Sequence, residues 1–139
     1  MTRLSATALG TLAVVVGCAS ALQTDPVPAE YRRAELRYFV ENHGRDQRRL
    51  DRIIASELGK RGLTATSGFS ADRPEHLDVL VIYEDRWQWD MSNYLIHMRI
   101  DLRSPTTNEL LAMGSAYQTS WARKGPDTVI ARILTGMFP

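Results

Sequence analysis

A chain of 139 residues, 44% hydrophobic and 24% charged, suits one small globular domain. The formal net charge is +1, and without Arg3 the remainder carries 16 basic and 16 acidic groups, a balance that argues against a polyanion-binding protein and against a nucleic-acid partner. The single cysteine excludes a disulfide within the chain.

Residues 1–17 have signal-peptide anatomy. Met1-Thr2-Arg3 gives a short positive end, residues 4–16 are apolar with small interruptions, and thirteen residues are too few to span a bilayer as a helix. Val15-Val16-Gly17-Cys18 resembles the bacterial lipobox, in which the cysteine becomes the acylated, palmitate-bearing first residue of the mature chain. Ala19, rather than Asp, follows Cys18, and the resemblance then implies export to the outer membrane. Residues 18–30 contain Pro26 and Pro28 and show no periodicity, so they read as the acylated cysteine and a flexible tether of about 40 Å at full stretch. The domain proper is expected over residues 31–139.

Within it, residues 31–41 alternate in part, with Leu36, Tyr38 and Val40 against Glu35, Arg37 and Glu41, which predicts a strand. Asn42-His43-Gly44 breaks it. Over residues 46–61 the period becomes helical: Leu50, Ile53, Ile54 and Leu58 form one stripe, Asp46 suits an N-cap, and Gly62 fits the position after the last turn. Arg48, Arg49, Arg52 and Lys60 lie off that stripe and read as a solvated face. Residues 64–76, polar and broken by Gly68 and Pro74, read as a loop.

Residues 77–102 organise the rest. A turn at Asp90–Asn93 places Trp89 opposite Tyr94, Trp87 opposite Ile96, Asp85 opposite Met98, Tyr83 opposite Ile100 and Val81 opposite Leu102, all on one face. Arg86–His97, Glu84–Arg99 and Ile82–Asp101 share the other. A slip of one residue would mix the sets, so the pattern selects this register. Asp85 is the misfit on the apolar face and invites a bulge. Residues 109–121 form a further strand with two open registers: Leu111, Met113 and Tyr117 face the core, or Leu110, Ala112, Gly114 and Ala116 do, which would let a helix approach closely. Gly125-Pro126 opens a second helix with Val129, Ile130, Ile133, Leu134 and Met137 as its stripe.

The order β-α-β-β-β-α predicts an α+β two-layer sandwich, with a four-stranded mixed sheet and two helices on one face. Asp78-Val79-Leu80-Val81, with Tyr83, Asp85, Trp87, Trp89-Asp90-Met91 and Asn93-Tyr94, resembles a family of small proteobacterial outer-membrane lipoproteins of unknown function. Their layout is similar to the TolB N-terminal domain and to curli-secretion and polysaccharide-export lipoproteins. The resemblance implies a lipid-anchored accessory protein on the periplasmic side of the outer membrane, and it carries over no catalytic residue.

The residues themselves offer little chemistry. Phosphate-loop, nucleophile-elbow and His-Glu-x-x-His patterns are missing. His76 and Asp78 have metal-ligand spacing at a strand entry, and Glu84, Asp85 and Asp90 are the carboxylates for a glycosidase-like pair. Both read more simply as surface groups, so no enzyme activity, metal or cofactor is expected. Leu80 and Ile82 are apolar on the face the helices leave open; they are expected to be covered by the tether, the 64–76 loop or another protein chain. The leading expectation is a non-enzymatic envelope assembly or accessory protein with a protein partner or a second copy on that sheet face. Trp87 and Trp89, with Tyr94 opposite, read most simply as an extension of the core to the end of the hairpin; the alternative is an exposed aromatic ledge that makes the chain a small-molecule or saccharide binding module.

Overall fold

The structure, a computed structural model, describes residues 20–139; the expected signal peptide and lipidation site, Cys18, lie outside the described residues. The strands are β1 (Ser20–Thr24), β2 (Arg37–Glu41), β3 (Thr64–Gly68), β4 (Val79–Asp90), β5 (Ser92–Arg103) and β6 (Leu110–Gln118). The helices are α1 (Leu50–Lys60) and α2 (Pro126–Met137). The class is α+β, but the sheet is six-stranded, in the order β1-β6-β5-β4-β2-β3, and not four-stranded as expected. The two additional strands are its two edges. β1 falls in the segment read as a tether and pairs antiparallel with β6; β3 falls in the segment read as a loop and pairs parallel with β2.

β1 is held by contacts that leave no hydrophobic pattern. A Cβ on Gly136 would lie 2.5 Å from Thr24 Oγ1, so the missing side chain lets α2 settle against β1. Beyond β1, Asp25 N–H donates to Met113 O at 2.8 Å and Val27 N–H to Met137 O at 2.8 Å, and Val27 is buried. The supposed tether is thus part of the domain.

α1 covers the crossover from β2 to β3 and buries Leu50, Ile54 and Leu58. Asp46 caps it from four residues upstream, its Oδ2 accepting Leu50 N–H at 2.6 Å and its Oδ1 accepting Arg48 N–H at 2.9 Å. Gly62, at φ 85°, turns the chain out of the last turn, where Leu63 N–H bonds Leu58 O at 3.3 Å. α2 starts on Pro126 and lays Ile130, Ile133, Leu134 and Met137 on the sheet.

Of the two registers open for residues 109–121, the small-residue one is found: Ala112, Gly114 and Ala116 stand opposite Leu102, Ile100 and Met98. A Cβ on Gly114 would lie 2.6 Å from Ile133 Cγ2 and 2.8 Å from Met137 Sδ, so α2 seats on bare backbone. Gly114→Val should therefore overpack this contact and cost about 1–3 kcal/mol. A denaturant melt reads the loss, and an unchanged midpoint would contradict the seating.

Candidate functional site

The hairpin pairs as expected from Val81–Leu102 through Arg86–His97, and then a bulge between Arg86 and Trp87 shifts the register by one. Beyond it Trp87 faces Leu95, Gln88 faces Tyr94 and Trp89 faces Asn93. Trp89 and Tyr94 are therefore on different faces, which corrects the pairing read from the sequence. The shift has a packing reason: it turns Leu95 into the core, where it is 1% exposed, and leaves Ile96 half-buried. Met91, at φ 60°, makes the reversal.

Below the bulge, Asp85 is reconciled with its apolar face by two donors, His43 Nε2 at 2.7 Å and Trp87 Nε1 at 2.7 Å. Arg45 N–H donates to His43 Nδ1 at 3.2 Å, so Nε2 carries the proton given to Asp85. The Arg48 guanidinium lies 3.8 Å above the Trp87 ring. Tyr83 O–H donates to Asp46 Oδ2 at 2.6 Å, and burial, then the Asp46 charge, push its hydroxyl far above its usual value of 10. Burial raises the Asp51 carboxyl too, but hydrogen bonds from Arg49 and Asn42 outweigh it and hold the group below its ordinary range.

Both His43 nitrogens and both Asp85 oxygens are engaged, and the cluster clamps the 42–49 loop to the hairpin. Glu84 is exposed opposite Arg99, and Asp90 lies at the hairpin end. His76 is exposed, and Asp78 accepts Arg37 N–H at 2.8 Å. Among the described residues, no three His, Cys, Asp or Glu side chains converge as a metal site would need. A depression of about 420 Å³ on the outer face is flanked by Ile82, Glu84, Arg99 and Arg103, but both arginines are bound to Asp101, at 2.7 and 2.9 Å.

The open sheet face is largely closed from within. The 69–78 connection must cross β2 to reach β4, and the ion pair of Arg73 with Glu41 puts it on the face away from the helices. Phe39 and Leu80, neighbours on that face, are 1% and 6% exposed. Ile82 is half-buried.

The aromatic ledge also differs from expectation. Trp87 is half-buried under Arg48, and Tyr94 is buried beneath Arg123, whose guanidinium lies 4.9 Å from its ring. Trp89 alone of the three projects, at 71% exposure. It is joined by two residues that the sequence reading did not single out, Met91 at 88% and Trp121 at 96%. Trp121 had been placed in the last strand. That strand ends at Gln118, whose side chain donates to Leu95 O at 2.6 Å and to Lys124 O at 3.0 Å and so turns the chain away. Arg123 ties the segment to the hairpin end, donating to Asp90 O and Ser92 Oγ, both at 3.0 Å. The three most exposed large apolar side chains among the described residues thus gather at one end of the sheet.

No protein-family model matches the sequence, and no curated protein matches it. The fold is similar to that of the PelC dodecamer from Paraburkholderia phytofirmans, at 13% identity and a TM-score of 0.61, over 85% of this chain and 97% of that one. A PelC point variant from the same organism, also a dodecamer, gives 14% identity and a TM-score of 0.62 over 84% and 95%. At these identities the likeness is one of fold.

His97 gives the domain a pH dependence. Burial, then the charge of Arg86, lowers its imidazole below the ordinary 6.5, and its Nδ1 is buried without a partner. The folded state therefore takes up this proton later than the unfolded state does. Its contribution is complete above about pH 6.5 and is lost as pH falls through the lowered value. As pH falls through that window, the melting midpoint of wild type should drop relative to that of His97→Gln, with a constant offset above it; parallel curves throughout would contradict the assignment.

Proposed function

We propose that this chain is a non-enzymatic, lipid-anchored accessory protein of the bacterial outer membrane, on its periplasmic side, and that it works as a homo-oligomer. The observation that carries the reading is the shared architecture with PelC, whose solved form is a dodecamer, over nearly the whole of both chains. The lipobox-like Val15-Val16-Gly17-Cys18 supports the anchor, and the motif of residues 78–94 supports kinship with the small outer-membrane lipoproteins. The saccharide alternative, as placed on Trp87 and Trp89, is weakened, because Trp87 lies under Arg48 and of those two Trp89 alone is exposed.

The geometry suits repeated copies. β1 and β3 are five-residue edges at opposite sides of the sheet and run in opposite directions. In a head-to-tail array the β1 edge of one copy would meet the β3 edge of the next as an antiparallel pair, and such heterologous contacts close when the rotation between copies allows. Repetition would also strengthen membrane attachment, since one acyl chain alone binds marginally.

Native mass measurement of the full chain in mild detergent should give an assembly of many copies, twelve if it follows PelC. A monomer at micromolar protein would overturn the oligomeric reading. Cys18→Ser should release the protein from the membrane fraction and abolish fatty-acid labelling; full retention with labelling would overturn the anchor.

A further inference from the structure

We infer that the end of the domain bearing Trp89, Met91 and Trp121 docks on the lipid bilayer. The inference rests on the lipoprotein reading of Cys18 and on where the described chain begins. Ser20, the first residue of β1, stands opposite Gln118, the last residue of β6. Gln118 is three residues from Trp121 and bonds β5 at Leu95. β1 runs away from this end, so the chain that precedes Ser20 enters the fold beside the exposed aromatic side chains.

The lengths agree with this placement. Cys18 is two residues before Ser20 and can lie at most about 7 Å from it. Met91 is four residues beyond Leu95 along β5, roughly 13 Å further out at the rise of a strand. With acylated Cys18 at the headgroup level, the hairpin end reaches the boundary between headgroups and acyl chains, where apolar faces of interfacial segments settle some 5–10 Å deep. A tether of about 40 Å would not fix the orientation, but none remains once β1 belongs to the sheet.

The chemistry of this end suits that depth. Trp is enriched at membrane interfaces, where its ring and N–H meet both environments. Trp89, Met91 and Trp121 are the three most exposed large hydrophobic side chains among the described residues. Around them are Ser92, Asn93 and Ser120, and the basic Arg123 and Lys124 outnumber Asp90, which favours anionic headgroups. Left in water, two indoles stay exposed at 71% and 96%; a bilayer covers both at once.

The test uses the full chain, reconstituted in vesicles of phosphatidylethanolamine and phosphatidylglycerol, with and without phospholipid brominated near the headgroup end of its acyl chains. Two of the three Trp side chains then face quencher, so the brominated lipid should remove roughly two-thirds of the Trp emission. The Trp89→Phe/Trp121→Phe double variant, altered only at exposed positions, should keep its melting midpoint and lose the quenching. Intact mass on the same sample reads acylation separately. An acylated chain whose emission is quenched by aqueous acrylamide and ignores bromine overturns the docking surface and leaves the anchor standing. Blue-shifted emission that neither quencher reaches also overturns it, because a second copy then covers the indoles. An unacylated chain overturns the lipoprotein reading and, with it, the docking end.

Discussion

The twelve-residue strands β4 and β5 are longer than the helical layer that covers them, and most of the structure answers to that mismatch. Helices seated on the sheet bury the portion from Val79 to Tyr83 and from Leu95 to Leu102. The remainder must find cover elsewhere or face solvent. The bulge after Arg86 divides the two regimes: it turns Leu95 inward and hands Tyr94 to Arg123 on the opposite face. Beyond it, the segment following β6 folds up against the hairpin end, and Trp89, Met91 and Trp121 project together.

A second constraint comes from the parallel strands. With β2 between β3 and β4, the chain needs two parallel connections, β2 to its neighbour β3 and then β3 over β2 to β4. The crossing through α1 uses the core face, so the return over residues 69–78 uses the other, with Arg73 on Glu41 as its visible fastening. That return closes the face on which Leu80 and Phe39 sit, and it moves the case for an external partner from the sheet face to the sheet's end. On the proposed reading, the two edges serve neighbouring copies and the hairpin end serves lipid.

What was legible in the sequence was whatever a strict period encodes. Six pairs of the hairpin, from Val81–Leu102 to Arg86–His97, could be set because one slip would mix apolar with charged residues. Both helices followed from their stripes, with Gly62 and Pro126 at the expected ends; the first helix starts at Leu50, not near Asp46, and its N-cap position is Arg49, with Asp46 bonding Leu50 N–H from outside the helix. The edge strands could not be read, because SALQT and TATSG carry almost no apolar alternation and are held by backbone pairing and by the close approach at Gly136. The choice of register for β6 was likewise tertiary, decided by the clash that any side chain at residue 114 would make with Ile133. The candidate site was half legible: Trp89 was identified, while Met91 and Trp121 depended on a one-residue reversal and on a strand that stops at Gln118. Trp87 was open between the core and the ledge, and packs against the core, because its cover, Arg48, comes from a distant loop.

The central claim is that the hairpin end faces the bilayer and the opposite end of the sheet faces water. Nitroxide labels at Met91→Cys and, separately, at Asn108→Cys would measure it directly, since the thiol of an acylated Cys18 is already consumed. Asn108 lies in the turn between β5 and β6, at the far end of the sheet. In vesicles, power saturation should show the label at residue 91 accessible to oxygen and shielded from a water-soluble nickel chelate, with the reverse at residue 108. Equal access of the chelate to both positions would contradict the account.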